Sequence, residues 1–168
     1  MARRDTVSLI LPLVAQHGWK VHHLDVKSTF LNGDLQEEVY VAQPKGFVIK
    51  VEEHKVYKLS KALYGLRQAL RAWNIHLDKS LKSLNFMKCI QDQAVYTRND
   101  GAEILIADVY VDDLIITGIS VEGVKEFKQQ MIKEFEMNDL ELLTYYLGIE
   151  VDQSKDCIML KQSAYAKK

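Results

Sequence analysis

Three aspartates stand in apolar surroundings, where a carboxylate needs a specific partner. Asp112 and Asp113 are adjacent in "VYVDDLIITG", and Asp25 lies in "VHHLDV". Converging carboxylates repel one another unless a proton or a cation neutralises them. Oxygen ligands of this kind suit Mg²⁺, and two such ions ~4 Å apart stabilise both the attacking and the leaving oxygen in phosphoryl transfer. The spacing alone is also typical of a plain polar hairpin tip, so both interpretations stay open.

Basic residues are concentrated in one part of a chain whose formal net charge is −1. From His54 to Lys88, eight basic residues accompany a single acidic residue, Asp78. This asymmetry indicates a polyanionic partner, although a solvated basic helix face produces the same pattern. The basic residues are Lys55, Lys58, Lys61, Arg67, Arg71, Lys79, Lys82 and Lys88.

The composition is that of one water-soluble domain. The 168 residues are 48% hydrophobic and 27% charged, which allows a substantial core. No apolar run reaches the length of a membrane span, and no signal peptide is recognisable. Cys89 and Cys157 are far apart without metal-ligand spacing, which favours two thiols over a disulfide.

The elements that must position the aspartates form a mixed order of helices and strands. "TVSLILPLVAQH" predicts a helix that is kinked or briefly broken at Pro12, and "WKVHHLDV", "EEVYVAQP" and "KVYKL" predict strands. Ser60 is expected to cap the next helix, with Gly65 interrupting its first turns. The apolar face of that helix is Leu66, Leu70, Trp73, Leu77, Leu81 and Leu84.

The second half of the chain predicts hairpins around the aspartate pair. Asn99-Asp100-Gly101 separates two strands, and "LIITG" is a further strand. Ser120 is predicted to cap a helix, and "TYYLGIEV" and "CIMLKQ" to form a final strand pair around Ser154-Lys155-Asp156. Without regular alternation of strands and helices, this order predicts an α+β fold with an antiparallel sheet backed by helices.

Several motifs occur together in a fixed order, and each is specific. The blocks are "HHLDVKSTFLNGDLQEEVYVAQPKGF", "YKLSKALYGLRQALRAW", "VYVDDLIITG" and "LLTYYLGIEV". Together they closely resemble the reverse transcriptase domain of copia-type LTR retrotransposons, across essentially the whole chain. The resemblance implies a polymerase palm-type antiparallel sheet with partial fingers. Residues of about 32–70 would lie on the fingers side, the remainder would form palm and primer grip, and the domain would be truncated at both ends.

The resemblance assigns the aspartates to a two-metal site for RNA-directed DNA polymerisation. Asp25 matches the aspartate that binds both metal ions, Asp112 the one that completes the site, and Asp113 a weaker support. The ions would be Mg²⁺, with Mn²⁺ as the alternative. The primer 3′-hydroxyl would attack the α-phosphorus of a dNTP, and pyrophosphate would leave. His22 and His23 match no ligand of the family and are interpreted as strand residues.

Further positions follow from the same resemblance. Phe30, five residues after Asp25, matches a bulky side chain that abuts the sugar of the incoming nucleotide, while a core aromatic is the alternative. Trp73 is interpreted as core. The residues expected at the dNTP are Lys27, Phe30, Tyr64, Gly65 and Gln68. The residues expected at nucleic acid are Lys61, Arg67, Arg71, Tyr146, Leu147 and Gly148.

The resemblance also implies partners, and the chain departs from the family pattern at three positions. The expected partners are an RNA or DNA template–primer duplex, dNTPs, and the RNase H and integrase portions of a polyprotein, in a cytoplasmic virus-like particle without a membrane. Leu70 replaces a usual proline, and Pro12 a helix former. Asp108 lies in a strand where an unpaired carboxylate costs stability or takes up a proton. A catalytically inactive remnant that binds nucleic acid, and an unrelated Mg²⁺ phosphohydrolase, are the alternatives.

Overall fold

A computed structural model describes residues 4–154 and 157–166 of the chain. The helices in these residues are α1 (Arg4–His17), α2 (Ala69–Ser83), α3 (Val121–Glu134) and the short α4 (Ser163–Ala166). A 3₁₀ turn covers Thr29–Asn32. The strands are β1 (His22–Val26), β2 (Asp34–Ala42), β3 (Val56–Lys61), β4 (Met87–Lys88), β5 (Val95–Asn99), β6 (Ile104–Tyr110), β7 (Asp113–Gly118), β8 (Met137–Leu142), β9 (Tyr145–Tyr146), β10 (Ile149–Gln153) and β11 (Ile158–Lys161).

All strand pairs in the described residues are antiparallel. Six strands form the main sheet in the order β4-β5-β6-β7-β1-β8, so β7 and β1 are neighbouring interior strands, each paired on both edges. A smaller sheet has the order β11-β10-β9, and β2 pairs with β3 alone. The predicted α+β fold with an antiparallel sheet is therefore confirmed.

The chain separates into two compact units. The sheet unit comprises the residues up to Lys27 together with those from Ser80 onward, and the hairpin unit is Ser28–Lys79. The main sheet belongs to the first, and the β2–β3 hairpin to the second. The division into fingers side and palm stays a prediction.

Apolar side chains cover both faces of β7, in which every residue after Asp113 is buried. Helix α1 packs Val7, Leu11 and Val14 against Ile115 of this strand, in a core that the smaller sheet completes with Tyr146. Helix α3 contacts β7 and β8, and it buries Val124, Phe127 and Met131. Strand β7 is thereby held by packing from both sides.

Helix α1 runs without a break through Pro12, contrary to the alternative of a short interruption. It ends at Gly18, whose φ of +67° places it in the left-handed region that favours glycine. The N–H groups of Gly18 and Trp19 donate to the carbonyls of Ala15 and Val14, at 3.3 and 3.0 Å, in the pattern of a Schellman motif. No helix in the described residues is long and apolar enough to cross a membrane.

The start of α2 differs from the prediction. Ser60 lies within β3 because the strand continues to Lys61, so it does not cap a helix, and α2 begins only at Ala69. Leu70 is 42% exposed, whereas Trp73 and Leu77 are buried. The buried face thus starts at Ala69, and Leu70 lies one residue, about 100°, round the helix from it.

Other local predictions are confirmed. Asn99 and Ile104 are the last pair of the β5–β6 hairpin, as the turn signal predicted. The Ser120 hydroxyl accepts a hydrogen bond from the Gly123 N–H at 3.0 Å, and α3 follows it. "TYYLGIEV" and "CIMLKQ" contribute the paired strands β10 and β11, and the first of them also contains β9. Lys155 and Asp156, in the predicted turn, lie outside the described residues.

Candidate active site

The register of the neighbouring strands β1 and β7 brings two distant aspartates together. Strands β1 and β7 pair antiparallel with Asp25 directly opposite Asp113 and Leu24 opposite Leu114. Directly opposite residues point to the same face of a sheet, with Cβ atoms roughly 4.5–5.5 Å apart. Strand pairing therefore places Asp25 and Asp113 side by side on one face of the sheet, while a metal site of all three aspartates stays a prediction.

Asp112 occupies a tight turn that is attached to the end of β1. Because Tyr110 pairs with Asp113, the turn between β6 and β7 has two central residues, Val111 and Asp112. Val111 has a φ of +55°, which is rare for a β-branched residue, and positive φ at the first central position alone is the pattern of a type II′ turn. The Val26 N–H donates to the Asp112 carbonyl at 2.9 Å. This bond ties the turn beside Asp25 and helps to hold the strained backbone.

Two neighbours bind the facing carboxylates. The amide of Asn138, opposite Asp25 on β8, donates to Asp25 Oδ2 at 3.3 Å. His23 Nε2 lies 2.7 Å from Asp113 Oδ1. Neither Asn138 nor the role of His23 was foreseen, because each contact depends on which strands become neighbours.

The donor chemistry of the three aspartates suits a hard divalent cation. Facing like charges are destabilising unless something neutralises them, and the groups offered here are carboxylate oxygens. Among residues 4–154 and 157–166, no group of three or more Asp, Glu, His or Cys side chains is placed so that it could hold a metal ion. A bound Mg²⁺ typically takes one or two carboxylates and completes its shell with water and substrate phosphates. The facing pair Asp25 and Asp113 supplies that number of carboxylates, so these two residues fit such an ion.

The predicted primer-grip residues form the turn between β9 and β10. Tyr146 pairs with Ile149, and the two residues between them, Leu147 and Gly148, have φ of +48° and +85°. Positive φ at both central positions is the pattern of a type I′ hairpin turn. The Tyr146 side chain is buried and Leu147 is half-buried against the same core, so Gly148 is the exposed residue of the turn.

Gln153 holds this hairpin against β1. Its Oε1 accepts from the Val21 N–H at 3.0 Å, and its Nε2 donates to the carbonyls of Val21 and Leu143, both at 2.9 Å. The side-chain amide thus makes three hydrogen bonds to backbone groups, two of them at Val21, just before β1 begins. No sequence signal marked this residue, because a glutamine in a strand is ordinarily a solvated position.

Asp108 is fully buried on β6, opposite Ile115 and on the sheet face that carries Asp113. Burial, reinforced by the Asp92 carboxylate, raises the pKa of Asp108 to about 6. The Tyr146 hydroxyl donates to Asp108 Oδ2 at 3.4 Å, while Oδ1 has no hydrogen-bond partner in the described residues. Burial also raises the pKa of Tyr146, which keeps that hydroxyl a donor. The raised pKa means that Asp108 takes up a proton more readily, which lowers the free-energy cost of burying this side chain.

Lys27 follows β1 and contacts Glu136 through both its backbone and its side chain. Its backbone N–H donates to the Glu136 carbonyl at 2.8 Å, and its ammonium lies 3.0 Å from the Glu136 carboxylate. Both side chains are exposed. A role for Lys27 at the dNTP stays a prediction.

In the hairpin unit, the Phe30 ring has an aromatic partner. Phe30 and Tyr64 are edge to face, with ring centroids 4.4 Å apart. Phe30 is half-buried against Ala62 and its cluster, whereas Tyr64 is 69% exposed. Phe30 therefore packs against the core of its unit and remains partly accessible, so the core and sugar-contact interpretations are both compatible with its position.

Gly65 and Gln68 shape the approach to α2. The Leu66 N–H donates to the Leu63 carbonyl at 3.2 Å, and Gly65, at the third position of this turn, has a φ of +90°. That is the requirement of a type II turn, and a Cβ on Gly65 would meet no atom within 4 Å. Gln68 is half-buried and its carbonyl accepts the Ala72 N–H at 2.9 Å. The glycine is therefore required by the backbone rather than by crowding within the chain.

Four of the eight basic residues of the segment 54–88 pair with acids of the hairpin unit. Lys61 lies 2.6 Å from Asp34, whose pKa it lowers, and Arg71 lies 3.8 Å from Glu37. Lys55 with Glu52, and Lys58 with Glu38, form further pairs. Arg67 is exposed and has no ion pair within the described residues. Nearby carboxylates thus offset part of the positive charge that the segment 54–88 shows in the linear sequence.

Comparison of the sequence with known proteins identifies its family. The reverse transcriptase (RNA-dependent DNA polymerase) family model matches residues 1–168. The chain is 35% identical over 163 residues to the Retrovirus-related Pol polyprotein from transposon RE1 of Arabidopsis thaliana, covering 97% of this chain and 11% of that protein. It is 36% identical to the corresponding polyprotein from transposon TNT 1-94 of Nicotiana tabacum, covering 98% and 13%.

A more distant relative is the transposon Ty1-NL2 Gag-Pol polyprotein of Saccharomyces cerevisiae, with 23% identity over 89% of this chain and 9% of that protein. The chain therefore spans only 9–13% of the length of these three relatives. The family match, in contrast, extends over all its residues. The chain belongs to the reverse transcriptase (RNA-dependent DNA polymerase) family.

Proposed function

We propose that this chain is the palm-type core of an RNA-directed DNA polymerase, which adds nucleotides from dNTPs to a primer 3′-hydroxyl. The observation that carries the proposal is the pairing of Asp25 with Asp113 across β1 and β7, with Asp112 tied to the end of β1. Two facing carboxylates, with a third aspartate in the adjoining turn, are the kind of oxygen donors that phosphoryl transfer by bound cations uses.

Asp25, Asp112 and Asp113 would hold the divalent ions, Mg²⁺ or alternatively Mn²⁺. Such ions, when bound, stabilise the charge that develops on the attacking and leaving oxygens. The contribution of the chain is to keep the carboxylates facing each other without reorganisation, because pre-organised charge lowers the barrier without further motion. The β1–β7 register and the Val26–Asp112 bond perform this task.

Other residues would bind the substrates. In the sheet unit, the turn at Leu147 and Gly148 would contact the primer, and Lys27 the triphosphate. In the hairpin unit, the Phe30 ring, supported by Tyr64, would contact the sugar, with Gly65 and Gln68 nearby in sequence. Lys61, Arg67 and Arg71 would bind phosphates of a template–primer duplex. RNase H and integrase portions of a parent polyprotein, in a cytoplasmic virus-like particle, are the proposed context.

Primer extension on poly(rA)/oligo(dT) with Mg²⁺ tests this function. Asp25→Asn and Asp112→Asn should each reduce extension roughly 10³-fold, since an active-site ion contributes several kcal/mol. Asp139→Asn is the matched control, because Asp139 lies on β8 opposite Leu24 and pairs with Lys128 at the surface. It should extend like the unmodified chain. Equal extension by all four proteins would contradict the proposal.

A nucleic-acid-binding remnant is the second candidate, and the free Arg67 is the observation that favours it. Such a protein would bind duplex in a salt-sensitive way without extending the primer. Arg67→Ala and Arg71→Ala would weaken binding, while Asp112→Asn would leave it unchanged. That pattern, with no extension by the unmodified chain, would replace the polymerase proposal.

A further inference from the structure

We propose that His23 is a positioning residue that fixes the carboxylate of Asp113, and that Tyr146 holds His23 in place. This inference rests on the proposed polymerase function, and it deepens the account of the same site. It starts from a feature for which the family resemblance offered no role. His23 is two residues before Asp25 on β1, and alternation puts both side chains on one face of the strand.

The contact between His23 and Asp113 is short and well protected. Nε2 and Oδ1 are 2.7 Å apart, and His23 is only 9% exposed. A carboxylate has only acceptors, so the imidazole Nε2–H is the donor. Hydrogen bonds to a charged oxygen are short and stronger than neutral ones, which fits this distance. One oxygen of Asp113 is therefore committed to the protein.

The imidazole is itself held by a buried aromatic side chain. Tyr146 meets His23 edge to face, with centroids 6.0 Å apart and planes at 86°. The Tyr146 hydroxyl is in turn bound to Asp108 on β6. Tyr146 and Asp108 have 1% and 0% exposure, so the group that packs against His23 is itself fixed in the core. A chain of contacts thus runs from β6 through β9 to the candidate metal ligand.

This arrangement has a specific consequence for the metal ligands. Asp113 lies opposite Asp25, and repulsion between the two carboxylates would turn an unrestrained Asp113 away. The bond from His23 holds Asp113 in one orientation and leaves Oδ2 for a cation. Partners that orient a metal ligand in this way typically contribute 10–100-fold in metal affinity. His23 acts through Asp113, because its Nε2 is already bound there.

A matched pair of substitutions tests the inference. His23→Gln keeps an N–H donor at a similar reach, whereas His23→Met has a similar length and no donor. Mn²⁺ binding to the full chain, measured from the loss of the free-ion electron paramagnetic resonance signal, is the readout besides activity. His23→Met should raise the Mn²⁺ dissociation constant about 10–100-fold and lower kcat more than it changes KM for dTTP. His23→Gln should recover most of the affinity.

His22→Met is the control for a substitution in β1. His22 is the adjacent residue on the opposite face, and burial together with the Lys128 ammonium lowers its pKa. The His22→Met variant should bind Mn²⁺ as the unmodified chain does. Thermal unfolding of all variants shows whether a loss of affinity follows a loss of fold, because a purely structural role would affect His23→Gln and His23→Met alike.

The outcomes separate the two proposals. If the unmodified chain extends primers and binds Mn²⁺ through Asp25, but His23→Met or both His23 variants match it in affinity, the role of His23 is wrong and the polymerase function stands. If His23→Gln loses as much affinity as His23→Met, the bond to Asp113 is not what matters, and the inference is also overturned. If the unmodified chain neither extends nor binds Mn²⁺ in an Asp25-dependent way, both proposals fail together.

Discussion

The sheet unit and the hairpin unit hold their candidate site residues in different ways. In the sheet unit, Asp25 and Asp113 face each other through the register of β1 and β7, and a backbone hydrogen bond from Val26 holds the turn at Asp112. In the hairpin unit, Tyr64 and Arg67 lie on exposed segments outside regular structure. The difference indicates that the proposed chemistry depends on rigid placement, while proposed contacts with long, variable substrates use adaptable surface residues.

Charge follows the same division. The hairpin unit contains eight basic and six acidic residues, and several of them pair across β2 and β3. Exposed ion pairs of this kind contribute little to stability, so they are available for exchange with phosphates. The asymmetry read from residues 54–88 therefore overstates the positive surface, because the balancing acids lie just upstream in the sequence.

The largest expected effect separates the rigidity of the two units. A Cβ added by Gly118→Ala would lie 2.2 Å from the Ile104 carbonyl oxygen, whereas Gly33→Ala would place it 2.8 Å from the Trp73 nitrogen. Overpacking costs about 1–3 kcal/mol and occasionally more, so Gly118→Ala should lose more than about 3 kcal/mol and Gly33→Ala less. Urea unfolding measures both. Equal losses would remove the contrast in packing between the central sheet and the hairpin unit.

The next effect concerns the buried acid beneath the site. Asp108 has a pKa of about 6 in the folded chain against an ordinary value of 3.8, so folding retains a proton between these pH values that unfolding releases. Stability should therefore fall by about 3 kcal/mol as the pH rises through this window. The Asp92 carboxylate and the Tyr146 hydroxyl are the neighbouring groups, and they act in opposite directions.

Asp108→Asn removes the charge and keeps an acceptor for Tyr146. It should be more stable than the unmodified chain at pH 8, with the difference shrinking towards zero near pH 4. Urea unfolding at the two pH values is the measurement. A difference that is the same at both values would show that ionisation of Asp108 is not the cause.

The smallest effect concerns binding by the hairpin unit. Arg67→Ala should lower the affinity for duplex and reduce the salt slope by about 1, as loss of one phosphate contact does. Asp34→Asn should raise the affinity, because it releases Lys61 from its ion pair. Fluorescence anisotropy at two salt concentrations measures both. Unchanged affinity in both variants would place the nucleic-acid surface elsewhere.

The aspartates and most strands were predictable because their signals are local. Apolar runs marked β1, β6 and β7, and adjacent carboxylates between such runs are conspicuous. The roles of His23, Asn138 and Gln153 were not predictable, since each depends on a partner brought close by strand order. Alternation along β1 places His23 on the face of Asp25, but only the β1–β7 register identifies Asp113 as its partner.

The errors around α2 have a related cause. Ser60 has the side chain of a helix cap, but pairing between β2 and β3 keeps it in a strand. Leu70 fits a helical repeat, yet the face that becomes buried is set by Ala69 and Trp73. In both cases tertiary packing decided between two locally acceptable structures.

Anomalous diffraction from crystals soaked in Mn²⁺ is the most direct test of the proposed metal site. We expect a peak at the end of β1 and β7, with carboxylate oxygens of Asp25 and of Asp112 or Asp113 as ligands, and its loss in crystals of Asp25→Asn. A peak that persists in Asp25→Asn, or unmodified crystals with Mn²⁺ bound elsewhere and none at these carboxylates, would contradict it.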